Sequence, residues 1–260
     1  MTAFHFGPAE EPLFGVYTPP RASVPRDAAI VLCAPIGLEY MRTHYAIRLL
    51  AIQLAAMGFH VLRFDYHGIG DSSAEVGVGQ FDIWLDDVAL AVRELVDISG
   101  VQAPALVGLR MGALLAVEAL AGRGLRAKGL VLWEPVVAGR EYLAVLEHMN
   151  AQMIAARDVP PRPTDDLLGA RYPVDLRAAI QGIHLEKRVC NLDVSSAALV
   201  VSEDRPEYGV LLKEMRNRWP DAMYRSMDDP IAWDNLKAAF DARLTGPIVR
   251  AVAEAAESLT

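Results

Sequence analysis

The sequence predicts an α/β fold in which a mostly parallel central sheet is covered by helices on both faces. Three observations lead there. Apolar runs of strand length alternate with helical patterns along most of the chain, which is the signature of strand–helix–strand units. The strand candidate AAIVLCAPI (28–36) is continuously apolar instead of alternating, as a strand buried on both faces should be. The stretch VGLRMGALLA, residues 107 to 116, reads as a sharp turn from such a strand directly into a helix. With 260 residues, 53% of them hydrophobic, the chain can bury a large core as one domain, or as one domain with an insertion.

The elements follow in order. AAIVLCAPI (28–36) is a buried strand ending at Pro35 and Gly37, and PIGLEY is read as a loop. From His44 to Met57 the residues Ile47, Leu50, Ala51, Leu54 and Ala55 share one helical face, with Gly58 as the stop. FHVLRFDY is a strand, HGIGDSS a turn cluster, and residues 81–98 a helix with an acidic start. APALVGL is a strand, and MGALLAVEALA a helix whose small residues suit close packing on the sheet. KGLVLWEPVV is the next strand. SSAALVVSED (195–204), the helix EYGVLLKEMRNRW, a short strand AMYRSM and a helical region from Asn235 to Leu259 complete the pattern.

Residues 140–190 break this rhythm. DVPPRPTDD is a proline-rich loop flanked by helical patterns, so the segment is expected to be a helical cap inserted into a core formed by residues 1–139 and 191–260. Within it Tyr142, Leu143, Leu146, Met149 and Met153 fall on one helical face, either as ordinary packing or as a cover over a pocket mouth, where Met149 and Met153 would touch a ligand.

Composition narrows the function classes. The formal net charge is −8 and no basic run occurs, which argues against nucleic acid or an anionic membrane as partner. The expected partner is a small molecule, and a homodimer is allowed. MTAFHFGPAEEPLF lacks a basic stretch followed by an apolar one, and no window reaches the roughly 18 apolar residues of a membrane helix, so a cytoplasmic protein is expected. Cys33 and Cys190 form neither a metal spacing nor a disulfide framework and are expected as buried thiols, with no metal and no cofactor.

The succession of elements resembles the α/β-hydrolase fold, chiefly through HVLRFDYHGIGDSS and LVGLRMGALLA. More narrowly, PIGLEY, LRFDYHGIGDSS, FDIWLDDVALAV and GLRMGALLA resemble the hydrolase-like proteins associated with the exosortase A system, whose type-two members carry arginine at the same turn. The resemblance to the fold implies a nucleophile at this elbow, an acid after a later strand and a histidine near the C-terminus, in that order. Here the elbow residue is Arg110, which has five donors and no acceptor and cannot attack a carbonyl. The residue that best matches the acid is Asp204, which reads equally well as a surface turn residue. No histidine lies beyond His184, and the loop DDPIAWDN presents Trp233 where a base would be needed. Cys33 reads as core, Ser72 and Ser73 as turn residues, and His44 and His67 as partly exposed structural histidines beside the pocket.

What the resemblance leaves usable is the geometry. The backbone NH of Met111 and one from the PIGLEY loop would form an oxyanion site at a helix start, and a guanidinium there matches a carboxylate or phosphate two bonds at a time. The expected site therefore places Arg110 and Asp204 at the chemistry, and Ile36, Gly37, Glu39, Met111, Met149, Met153 and Trp233 around the ligand. The alternative is that Arg110 pairs with Glu39, Glu134 or Asp204 and plugs the pocket. Three functions follow: a non-covalent enzyme of lyase, isomerase or cyclase type in a biosynthetic pathway, acting on an anionic or acyl substrate; a non-catalytic binding or scaffold protein; or an ester or thioester hydrolase with another nucleophile, such as water activated by Asp204.

Overall fold

Strand and helix alternate from the first residues of the computed structural model, which describes residues 1–77, 79–157, 165–235 and 246–260. The strands are β1 (Thr2–Phe6), β2 (Leu13–Thr18), β3 (Ala29–Cys33), β4 (His60–Phe64), β5 (Ala105–Leu109), β6 (Ala127–Trp133), the short pair β7 (Asp166–Leu167) and β8 (Ala170–Arg171), β9 (Val194–Val201) and β10 (Met223–Ser226). The helices are α1 (Gly37–Ala56), α2 (Gln80–Ser99), α3 (Met111–Gly122), α4 (Gly139–Arg157), α5 (Val174–Gln181), α6 (Leu185–Arg188), α7 (Pro206–Arg218) and α8 (Gly246–Ser258).

Eight strands form one sheet in the order β1-β2-β4-β3-β5-β6-β9-β10. The pairs β1·β2 and β2·β4 are antiparallel, and the rest are parallel. Every residue of β3 and β5 is buried, which accounts for their continuous apolar sequence. Strand pleating sorts the side chains to two faces: Ala29, Val31 and Cys33 join one apolar cluster with α2 and α3, while Ile30 and Leu32 join the other with α1 and α8. Between β6 and β9 lie α4, the β7–β8 pair, α5 and α6.

The structure corrects the sequence reading in several places. α1 begins at Gly37, seven residues before the expected start, so most of PIGLEY is the first turn of a helix. Ile36, with extended backbone, caps it, and the buried polar residues Glu39 and Thr43 interrupt the apolar stripe that would have revealed it. The hairpin β1–β2 was not anticipated. The strand expected over 128–137 ends at Trp133, because Glu134 takes a left-handed φ of 47°. Cys190 is half-buried instead of buried, whereas Cys33 is fully enclosed. Most of the proline-rich loop, residues 158–164, and the start of the expected last helix, residues 236–245, lie outside the described residues; Gly246–Ser258 is helical. No helix among the described residues is long and apolar enough to cross a membrane.

Candidate functional site

The β5–α3 turn is built by two glycines. A Cβ on Gly112 would lie 2.2 Å from the Cys33 carbonyl oxygen, and one on Gly108 would lie 2.3 Å from the Ala113 Cα. Only bare backbone lets α3 start this close to the end of β3. Between them Arg110 takes φ 53° and ψ −121°, a sparsely populated conformation for a residue with a Cβ that costs about 1–3 kcal/mol. The neighbouring strand holds it there: the Arg110 NH donates to the Trp133 carbonyl at 3.0 Å. The turn aims the side chain outward from the C-terminal edge of the parallel strands.

That side chain is almost enclosed, at 8% exposure. Its Nε donates to Glu39 Oε1 at 3.0 Å, and Nη1 reaches the Glu134 carbonyl at 3.4 Å. The guanidinium stacks over Trp233 with its carbon 4.7 Å from the ring centroid and lies 5.9 Å from that of Tyr142. Burial works against its charge, but Glu39, Tyr208 and Tyr142 more than offset this, so Arg110 is held above its ordinary pKa. Of the three acids expected as partners, Glu39 supplies its carboxylate, Glu134 only its backbone, and Asp204 nothing. Among the described residues Nη2 has no hydrogen-bond partner.

The Arg110–Glu39 pair leaves loose ends. Glu39 is 4% exposed and its Oε2 has no hydrogen-bond partner among the described residues. Arg42, one helical turn on, stacks on the same Trp233 ring at 5.4 Å, with Nε and Nη2 buried and unpartnered. Burial lowers its pKa, against the pull of Glu39. The buried Tyr142 hydroxyl stands against that of Tyr172 without a hydrogen bond of good geometry, and burial together with Glu39 raises it well above the ordinary phenol value.

Glu134 anchors the opposite wall. Fully buried at the end of β6, its carboxylate accepts from the Ser202 backbone NH, the Tyr208 hydroxyl at 3.2 Å and Trp233 Nε1 at 3.1 Å. One carboxylate thus ties β6, β9, α7 and the loop after β10 together, and fixes the ring on which Arg110 lies. Sequence reasoning named Glu134 only as a partner for Arg110. It missed Tyr208, Arg205 and Arg42 altogether; the Tyr208 contact with Glu134, for one, spans 74 residues and leaves no local pattern.

Arg110 opens onto a cavity of about 370 Å³. Tyr142, Tyr208 and Trp233 give it an aromatic wall, Val136, Val137 and Val145 an apolar one, and Arg205 a second cation, itself paired with Glu203. Glu141, Glu207 and Asp234 are exposed at its edge. Among the described residues no serine, threonine, cysteine or histidine lines it. Asp204 stands apart, exposed, accepting from the Tyr224 hydroxyl on β10. Met149 is 2% exposed and Met153 is partly buried against the core; neither lines this cavity. Met111 is fully buried. Ile36 and Gly37 line a second cavity of about 400 Å³ beside the first turn of α1.

The histidines do other work. His67 Nδ1 bonds Asp87 at 2.5 Å and Nε2 the Glu11 carbonyl at 3.0 Å, so the ring pins the HGIGDSS turn to α2 on one side and to the β1–β2 connection on the other. His44 is exposed and packs edge-on against Tyr40. Ser72 bonds the Phe14 backbone NH and the Asp65 carbonyl, and Ser73 the Pro12 carbonyl, as turn residues do. No group of three or more potential metal ligands occurs among the described residues.

The family model described as serine aminopeptidase S33 (Hydrolase_4) matches residues 26–181. No curated protein matches the sequence. Solved structures with the same fold include an esterase from Pyrococcus furiosus (TM-score 0.65, 15% identity, 99% of this chain and 90% of that one). They also include a variant of the N-formylmaleamic acid deformylase from Pseudomonas putida S16 (0.59, 16%, 93% and 99%) and a proline iminopeptidase from Mycobacterium smegmatis (0.60, 12%, 98% and 100%). At these identities the likeness concerns the fold.

Proposed function

The chain belongs to the serine aminopeptidase S33 (Hydrolase_4) family of α/β-hydrolase-fold proteins, and from that premise we propose that it uses the family's elbow to bind a small carboxylate-bearing molecule without covalent chemistry. One observation carries this reading: the elbow residue is a guanidinium that opens on a cavity with no serine, threonine, cysteine or histidine among its described lining residues. Glu39 occupies Nε and the Glu134 carbonyl touches Nη1 weakly, so Nη2 is left for an anion. The aromatic and valine walls suit an apolar body behind a charged head. A cap formed by the segment from α4 to α6 would close over it.

A second reading adds non-covalent catalysis of lyase, isomerase or cyclase type. It is favoured by the unpartnered Glu39 Oε2 and the unpartnered Tyr142 hydroxyl beside Arg110, an acceptor and a donor able to hold a proton in transit. Hydrolysis by water activated at Asp204 finds no support in the geometry, since Asp204 lies outside the cavity and is occupied by Tyr224. The sequence resemblance to exosortase-associated proteins supports a biosynthetic setting.

The test is calorimetric titration with butyrate and with butyramide, its neutral near-isostere. A charge-assisted contact contributes roughly 1.5–3 kcal/mol, so butyrate is expected to bind at least tenfold more tightly, with Arg110→Gln abolishing the preference. Equal affinity for the two, or a preference that survives in Arg110→Gln, would overturn the proposal.

A further inference from the structure

The second cavity, about 400 Å³, lies on the far side of two tyrosines from the first. Tyr142 faces the Arg110 cavity, Tyr172 faces the second, and their hydroxyls meet beside Glu39. The partition rests on Gly37, whose φ of +58° is left-handed. A Cβ there would come 2.9 Å from the Tyr172 hydroxyl and 3.4 Å from the Ala170 Cβ, so the β7–β8 pair sits directly on the first turn of α1. The partition is thin: two phenols, of which the Tyr142 hydroxyl has no firm hydrogen bond to hold it in place.

The two cavities differ in chemistry. The first has a cationic floor, two guanidiniums and a carboxylate edge. The second is walled by Ile36, Ile69, Val76, Trp84, Ala170 and Tyr172, with Ile36, Trp84 and Tyr172 buried. Its ionic residues are exposed at the rim, where Arg171 is already paired with Asp165. A charged head would gain nothing here, whereas an unbranched hydrocarbon would lose contact with water. We infer that the second cavity is a tail pocket: the ligand is a medium-chain acyl carboxylate whose head sits on Arg110 and whose chain enters the second cavity where the Tyr142 and Tyr172 side chains turn aside, because the contact over Gly37 is too close to admit it. This rests on the binding role of Arg110, and adds to it the class of ligand.

The experiment compares two series, straight-chain carboxylates and the matching primary alcohols of four to twelve carbons, on the wild type and on Ala170→Trp and Val76→Trp. The two variants fill the pocket from different walls, so loss of folding in one leaves the other informative. For the wild type, affinity is expected to rise by about fourfold per methylene and then level off once the pocket is full. In both tryptophan variants the longer carboxylates are expected to lose at least tenfold while butyrate is unchanged. A wild-type affinity independent of length, or a length dependence untouched by both tryptophans, overturns the tail pocket even if butyrate binds Arg110. Alcohols that bind with a length dependence abolished by the tryptophans, while carboxylates bind no better than alcohols, uphold the tail pocket and overturn the role of Arg110. Failure of both series to bind overturns both.

Discussion

Arg110 is stabilised by a single side-chain carboxylate, and that makes the pair fragile in a specific way. With side-chain exposures of 10% and 5%, neither Arg110 nor Glu39 recovers full hydration when its partner is lost. Arg110→Met, which leaves Glu39 buried and unpaired, is expected to lower stability by about 3–5 kcal/mol, read from urea unfolding. Adding Glu39→Leu should recover most of that loss, because replacing both members of a buried pair by apolar groups is often neutral; a double variant no more stable than Arg110→Met would show that the unpaired Glu39 carboxylate does not set the cost. The sequence showed that a charge at the elbow must be paired and named Glu39 among three candidates. It could not select Glu39, since the pairing spans 71 residues and depends on α1 starting at Gly37. Trp233 was found through its place after the last strand. Glu134's threefold role was invisible, since its partners come from three separate elements.

At the scale of elements, the buried strands and their helices were legible because continuous apolar runs have few other uses. The N-terminal hairpin was not: β1 and β2 are short, and β1 forms the sheet edge with three of its five residues exposed. The apolar stripe on α4 was read correctly as a stripe, and its use divides along the helix. Tyr142 faces the cavity, as does Val145 from beside the stripe, whereas Met149 enters the core at 2% exposure. Met149→Asp is therefore expected to lower Tm sharply, by an unpaired buried charge worth several kcal/mol. Met153→Asp, only partly buried, should lower Tm far less. A ligand-contact role for Met149 would instead leave Tm unchanged and weaken binding.

The contact between α2 and the HGIGDSS turn carries a pH dependence. Burial pushes the Asp87 carboxyl up to about 6, outweighing its bonds to His67, which lower it. A carboxyl in the unfolded chain titrates near 3.9, so the folded state holds this proton more tightly. The stabilisation is full below about pH 4 and is lost as pH rises through about 6. Relative to Asp87→Asn, which cannot titrate, the wild type should have its largest Tm advantage near pH 4 and a smaller one at pH 7. A difference that grows with pH would mean that the ionised carboxylate is the stabilising form.

For the whole molecule, the sheet delivers its loops to one edge, and the same edge that carries nucleophile chemistry elsewhere in the fold here carries a guanidinium, a carboxylate and two phenols. Function therefore depends on the residues placed at that edge and not on the fold. The most direct measurement is turnover of p-nitrophenyl butyrate by the wild type, Arg110→Ser and Arg110→Ala. A serine hydroxyl attacks only when a base takes its proton, and no histidine lines the cavity among the described residues. The expected result is that all three proteins are alike and stay within the roughly 10³ to 10⁴ over water that a site without its triad can supply. Wild-type turnover with a covalent burst, or Arg110→Ser running many-fold faster than Arg110→Ala, would contradict a non-covalent elbow.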